Sequence, residues 1–268
     1  MSAEPDRRDE AGPFDIFGDV HGCADELVAL LGRLGYSVHL SGAGEGRRAR
    51  VTAPAGRRAI FVGDFIDRGP RSADVLRIVM AMAMGAQALA VPGNHDSKLM
   101  RWLEGRNVQL THGLAETARQ MQAEPEALRL QVKAFLGSLP YHLWLDGGRL
   151  AVAHAGIREH MLGHTGGAIR SFCLYGDTTG ETDAYGLPVR RNWAAHYRGG
   201  TAIVYGHTPM AEARWQNNTI CLDTGCCFGG ALTALRWPER EIVSVGAARM
   251  YATPVRPLGM IAAPADGS

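Results

Sequence analysis

Three short apolar runs near the start of the chain stop at the same kind of corner. Phe14 to Phe17, Ala59 to Val62 and Ala88 to Val91 lead at once into Gly18-Asp19, Gly63-Asp64 and Pro92-Gly93-Asn94. A short apolar run bounded by glycine reads as a buried strand. The glycine lets the backbone turn sharply, so an oxygen-bearing side chain stands at the strand's end. Between the runs lie helices. Leu27, Val28, Leu30, Leu31 and Leu34 keep one-face helical spacing and Gly35 stops it, while a Ser72 cap opens a second helix through Val75, Leu76, Ile78, Val79 and Met82. The order is β-α-β-α-β, with polar residues massed where each strand stops.

The remainder turns toward β-structure. Val38 to Val51 reads as a hairpin around Gly42, Gly44 and Gly46; it is no dinucleotide fingerprint, because G-x-G-x-x-G is absent. Residues 113 to 137 read as two helices, with Pro125 opening the second. Leu143 to Leu145, Asp-Gly-Gly, then Leu150 to Ala153 is a hairpin by its turn chemistry, and Thr201 to Tyr205 is a strand. Late hairpins are bracketed by Trp215 to Ile220 and Trp237 to Ile242. A βα-rich half and a β-rich half sharing one core fit an α/β sandwich. Residues 1–12 are expected to be a disordered tail, 13–252 one domain, and 253–268 a flexible tail rich in Pro, Ala and Gly.

Composition removes several classes. A chain of 268 residues that is 46% apolar can bury a large core. Its formal charge of +1 provides no global field toward nucleic acid or a membrane. The five cysteines form an odd set without a C-x-x-C pair, so buried free thiols are expected rather than a zinc knuckle or disulfide framework. The N-terminus is charged, and the longest apolar stretch, Ile78 to Val91, is interrupted by Gly85 and Gln87. A cytoplasmic protein with no membrane partner is the expectation.

Five motifs stand at predicted strand ends: Gly18-Asp19-Val20-His21-Gly22, Gly63-Asp64-Phe65-Ile66-Asp67-Arg68-Gly69, Gly93-Asn94-His95-Asp96, Ala153-His154-Ala155-Gly156 and Tyr205-Gly206-His207-Thr208. Taken singly each is weak. The i, i+2 spacing of Asp19 and His21 puts both side chains on one face of an extended stretch. Together, Asp19, His21, Asp64, Asn94, His154 and His207 supply six oxygen and nitrogen donors, enough for two ions sharing a carboxylate. Such mixed donors suit Mn, Fe, Zn, Co or Ni.

This ordered set resembles the calcineurin-like metallophosphoesterase superfamily, in its phosphoprotein-phosphatase branch with GDxHG, GDxxDRG and GNH[ED] motifs. The resemblance implies an α/β fold, a four-layer double β-sandwich flanked by helices. It implies two divalent ions, with Mn favoured. Asp19, His21 and Asp64 would hold the first, and Asp64, Asn94, His154 and His207 the second. Asp67, Arg68 and His95 match catalytic and phosphate-binding positions. The reaction implied is in-line attack on phosphorus by a hydroxide held between the ions. Arg68 offers a planar fork to phosphate oxygens, and His95, steadied by Asp67, can protonate the leaving oxygen.

Two further stretches, Tyr175 to Trp193 and Asn217 to Cys226, resemble the phosphatase module of bacterial polynucleotide kinase-phosphatases. By that likeness Asp223 joins the site and accepts a hydrogen bond from a metal-bound histidine. No G-x-x-x-x-G-K-[ST] loop is present, so no kinase module accompanies it. The leading expectation is hydrolysis of phosphate esters on nucleotides or RNA ends, including 2′,3′-cyclic phosphates, alongside RNA-repair partners acting in trans. The alternative is a bis(5′-nucleosyl)-tetraphosphatase, as in the neighbouring bacterial branch. Weaker are a serine/threonine protein phosphatase and, from another class, a catalytically dead binding protein. Arg170, Arg190, Arg191 and Arg198 surround the Gly-rich segment 176–186, read as a specificity loop, where Tyr185 and Trp193 are placed to stack on a base.

Overall fold

The computed structural model describes residues 4–256. Its centre is a pair of six-stranded sheets. In the first, Asp6–Arg7, His142–Leu145, Leu150–Ala153, Ala202–Tyr205, Thr219–Cys221 and Trp215–Gln216 follow one another across the sheet. In the second the order is Asp223–Thr224, Ala231–Trp237, Phe14–Phe17, Arg58–Phe61 and Ala88–Ala90, with Glu241–Gly246 also pairing Ala231–Trp237. Phe14–Phe17, Arg58–Phe61 and Ala88–Ala90 run parallel, which the intervening helices Ala24–Arg33 and Ser72–Met84 make possible.

Why the central strands read as unbroken apolar runs is explained by what covers each face. Side chains alternate along a strand. Phe14, Ile16 and Ile60 point into the core between the sheets, where they meet Leu143, Leu150, Val152, Val204 and Ile220. Phe17, Ala59 and Phe61 point the other way, onto Leu27, Leu31, Leu76 and Val79 of the helices. On the first sheet Ala151, Ala153 and Ile203 face outward onto Ile157, Cys173 and Tyr197. Both faces of both sheets are covered, giving helix–sheet–sheet–helix layers and the double sandwich that the resemblance implies.

Several local expectations change. Residues 4–12 do not form a tail: Asp6–Arg7 adds a parallel edge strand against Trp144 and Leu145, anchored by the Trp144 amide donating to the Pro5 carbonyl. Residues 253–256 are ordered coil, and the rest of the expected C-terminal tail, from 257, lies outside the described residues. Ser72 does not cap its helix. Arg71 holds the cap position, and Ser72 Oγ instead accepts from the Asp67 amide at 3.1 Å. The Gly-rich segment is no loop; Thr178–Thr182 pairs with Pro188–Arg190 as a hairpin whose register shifts between Pro188 and Arg190. Helices Asn94–Leu103 and Gly167–Tyr175 were not anticipated. All five cysteines are free and buried. Among the described residues no helix is long and apolar enough to cross a membrane.

Candidate metal centre and active-site cleft

The five motifs meet at one edge of the sandwich. Asp19 and His21 follow Phe14–Phe17; Asp64, Asp67 and Arg68 follow Arg58–Phe61; Asn94 and His95 open the helix Asn94–Leu103. From the first sheet come His154, after Leu150–Ala153, and His207, after Ala202–Tyr205. Backbone hydrogen bonds tie these corners together: the His21 amide donates to the Asp64 carbonyl at 2.8 Å and the Gly206 amide to the His154 carbonyl at 2.8 Å.

The turning is sharp enough to strain the chain. His21, Asp64, Asp67, Arg68 and His207 all have left-handed backbone, with φ between 45° and 75°. Residues with a Cβ adopt this only when surrounding structure enforces it, and such positions cluster at functional sites. Two glycines show how close the corners approach. A Cβ on Gly93 would lie 2.0 Å from Asp64 Oδ1, and one on Gly206 would lie 1.8 Å from Asp19 Oδ1.

The donors converge with their lone pairs inward. His154 Nδ1 lies 3.1 Å from the Val62 carbonyl oxygen and His21 Nδ1 2.9 Å from that of Ile66. A carbonyl only accepts, so each Nδ1 carries the proton and each Nε2 presents a lone pair. His154 Nε2 then faces Asn94 Oδ1 at 3.0 Å, His207 Nδ1 at 3.0 Å and Asp64 Oδ2 at 3.5 Å. Burial lowers the pKa of His21, His154 and His207, which keeps these imidazoles neutral, the form that ligates metal. Converging lone pairs repel unless a cation lies among them. Arg68 shows the same demand, donating to His21 Nε2 at 2.5 Å and to His95 Nε2 at 3.1 Å.

At this edge, two three-residue groups have donor atoms all within 4.8 Å of one another: His21, Asp64, His95 and Asp64, His154, His207. Asp64 belongs to both. Asn94 joins the second group through His154. Asp19 stands slightly apart from the first, where His95 takes its place. Its Oδ2 accepts from the His207 amide at 3.0 Å and its Oδ1 is buried without a partner among the described residues. Burial, then the fields of Asp223 and Asp64, pushes its pKa up. A buried carboxylate oxygen and a buried His207 Nε2 with no hydrogen-bond partner are costly unless something positive or polar satisfies them. The donor set fits divalent ions.

Beside this floor, His95 Nδ1 lies 2.6 Å from Asp67 Oδ2. Asp67 is held by its own amide, which donates to Ser72 Oγ and Thr117 Oγ1, each at 3.1 Å. Asp96 does not reach the donors. Its carboxylate accepts from the amides of Asp64, Phe65 and Gly93, clamping the two corners that carry Asp64 and Asn94. Asp223 departs from its expected part. Oδ1 accepts from the Gly225 amide at 3.0 Å, and Oδ2 has no hydrogen-bond partner among the described residues, so it accepts from no histidine among them. The tight Asp-Thr-Gly turn uses Oδ1 locally. Burial pushes the Asp223 pKa up to about 6.

Of the four arginines expected around the cleft, Arg190 lines it and Arg191 borders the adjoining cavity, paired at 3.4 Å with Asp177. Arg170 does not reach either cavity; its guanidinium lies 5.0 Å above the Tyr141 ring, because the helix Gly167–Tyr175 turns it away. Arg198 lines neither, donating to the carbonyls of Ala195 and Tyr197. Tyr185, 51% exposed at the hairpin tip, is also outside both, whereas Trp193 is a wall of the adjoining cavity. Sequence reasoning missed His112, Phe228 and Arg256, which line the cleft with Asp64, Arg68 and His95. Phe228 lies under the Arg68 guanidinium at 5.0 Å. His112 carried a signal that was passed over: Thr111-His112-Gly113 has the histidine–glycine pairing of the other corners, and Gly113 packs against the Arg68 backbone.

The calcineurin-like phosphoesterase profile matches residues 12–226. Among curated relatives, the bis(5′-nucleosyl)-tetraphosphatase PrpE [asymmetrical] of Anoxybacillus flavithermus is 45% identical over 248 residues, covering 89% of this chain and 96% of that protein. The protein of that name from Halalkalibacterium halodurans is 48% identical over 236 residues, covering 87% and 93%. Among solved structures, one described as a putative diadenosine tetraphosphatase superposes with a TM-score of 0.61 at 24% identity, covering 91% of this chain and 99% of that one. A cold-active protein tyrosine phosphatase superposes at 0.57 and 15% identity, covering 95% and 83%; these two likenesses concern the fold. With the profile spanning most of the chain and relatives matched nearly end to end, the chain belongs to the calcineurin-like phosphoesterases and is a phosphate ester hydrolase.

Proposed function

We propose that this enzyme hydrolyses dinucleoside polyphosphates asymmetrically, splitting a bis(5′-nucleosyl) tetraphosphate into a nucleoside monophosphate and a nucleoside triphosphate. The observation that carries the reading is end-to-end similarity, above 40% identity, to relatives bearing that activity in their name. It displaces the RNA-end reading, for which the comparisons offer no comparable support, and promotes what the sequence left as the alternative.

In this reading Asp19, His21 and Asp64 hold one divalent ion and Asp64, Asn94, His154 and His207 a second, Mn²⁺ being the first to try. Bound there, the ions supply a nucleophile at neutral pH and offset charge on the phosphate oxygens. The chain's own residues do the rest. Arg68 moves its fork from the imidazoles of His21 and His95 to the oxygens of the phosphate under attack, a match of planar donors to paired acceptors. His95, oriented by Asp67 against Nδ1, turns Nε2 toward the departing oxygen once Arg68 has left that nitrogen, and can pass a proton to it. A new P–O bond forms to the water oxygen, the anhydride P–O bond breaks, one proton of the water is released to solvent, and His95 passes a proton to the leaving phosphate.

The test is a substrate panel with Mn²⁺: diadenosine tetraphosphate, 2′,3′-cyclic AMP, an RNA 3′-phosphate and a phosphopeptide. The tetraphosphate is expected to have the highest kcat/KM and to give AMP and ATP in equal amounts. Preference for an RNA end, or two equivalents of ADP, would overturn the assignment.

A further inference from the structure

Beside the donor cleft, whose volume is about 270 Å³, lies a second cavity of about 470 Å³. The two share Arg190, His207, Thr208 and Arg256 as common walls. The second is within the size range of small-ligand sites, roughly 300–1,000 Å³. It is walled by Trp193, Tyr205 and Trp215. Trp193 is braced from behind by Phe172, Tyr197 and Tyr205, with ring centroids 5.0–6.3 Å away. Trp215 is backed by Arg240 at 4.4 Å, and its indole nitrogen is buried with no acceptor among the described residues.

The junction between the cavities carries unbalanced positive charge. The Arg190 side chain donates through Nε to the Tyr175 carbonyl and forms no ion pair among the described residues. Burial, and then the field of Arg256, destabilises its charge. Arg256 has one carboxylate, Asp183, at 3.4 Å. Two guanidiniums brought together at a junction, one of them half-buried and with no carboxylate partner among the described residues, call for an anion between them. The side walls call for a flat, partly apolar group.

We propose that the larger cavity is the nucleoside site: a base stacks among Trp193, Tyr205 and Trp215, and the polyphosphate crosses between Arg190 and Arg256 to reach the donor floor. This rests on the tetraphosphatase reading and adds to it where specificity resides. A phosphate ester without a nucleoside gains nothing from this cavity, whereas a dinucleoside polyphosphate does. Aromatic stacking of a base contributes about 1–3 kcal/mol.

The test fills the cavity. Ala211 is exposed and lines it, so Ala211→Trp adds an indole to the cavity without disturbing the core. The measurement is the ratio of kcat/KM for diadenosine tetraphosphate to kcat/KM for inorganic tripolyphosphate, with Mn²⁺. In the variant this ratio is expected to fall at least tenfold, carried by KM for the dinucleotide. Arg190→Gln is expected to raise the dinucleotide KM about tenfold, with Arg190→Lys recovering part of the loss. If wild-type enzyme cleaves the tetraphosphate and the Ala211→Trp ratio and the Arg190→Gln KM for the dinucleotide both stay at their wild-type values, the cavity proposal is overturned and the tetraphosphatase reading stands. If wild-type enzyme leaves the tetraphosphate intact, both fall.

Discussion

The floor of the cleft and the wall beside it are built in opposite ways. The floor is made of strand ends locked to one another: Asp64 is 2% exposed, its neighbours have left-handed backbone, and glycines admit contacts that no other residue would. The wall, made of Gly167 to His196 and Trp215–Gln216, is two short helices, a hairpin with a register shift and a two-residue edge strand, and much of it faces solvent. Its ion pairs, Arg158 and Arg191 with Asp177, are at the surface. Rigid corners suit chemistry that must be the same for every substrate, while surface segments can vary to choose among substrates. Removing the shared floor carboxylate should therefore damage all substrates alike, and a wall substitution should discriminate.

That contrast can be broken in order of effect. Asp64→Ala removes the carboxylate common to both donor groups, so kcat/KM should fall by about 10⁴ for every phosphate ester, equal to about 5.4 kcal/mol. Metal content by elemental analysis should fall with it; full metal content with full activity would end the shared-carboxylate assignment. His95→Ala should cost about 10²–10⁴ on an alkyl phosphate, whose leaving oxygen needs a proton. The loss should be smaller on a tetraphosphate, whose leaving polyphosphate is already a stable anion, and equal losses would remove His95 from the acid role.

Smaller effects follow. Gly93→Ala forces a methyl against Asp64 Oδ1, with an expected loss of about 1–3 kcal/mol in unfolding free energy by denaturant titration. A neutral result would show that the corner relaxes. At the bottom of the scale, Tyr185→Ala should change kcat/KM for any substrate less than about twofold, because the ring is outside both cavities. A large, substrate-selective loss there would mean the hairpin folds over the cleft during turnover.

How much of this was readable in the sequence divides along the same line. Floor positions carry compulsory glycines and donors at strand ends, constraints acting over two or three neighbouring residues, so Asp19, His21, Asp64, Asn94, His154 and His207 could be picked out before their convergence was visible. Short apolar runs and turn chemistry likewise placed Phe14–Phe17 and Leu150–Ala153 to the residue. The wall depends on long-range packing. Whether Arg170 faces the cleft or Tyr141 is set by a helix with no strong sequence signature, and a Gly-Asp-Thr run reads equally as loop or hairpin. Asp223 was recognised by its motif, but its partner is a backbone amide two residues away, a local preference of Asp-Thr-Gly that outweighs any reach toward histidine. The edge strand Asp6–Arg7 was illegible because a charged pair has no strand signature; the exposed edge of the first sheet creates it.

The donors come from both sheets, four following strands of one and two following strands of the other. Any ion bound among them would rivet the two layers, tightening a seam otherwise closed by hydrocarbon and a few hydrogen bonds such as Trp237 Nε1 to Asp146 Oδ2. Folding would then be linked to the free concentration of that ion, each tenfold rise above its dissociation constant adding about 1.4 kcal/mol. A cell short of the ion would hold an enzyme that is slower and also easier to unfold.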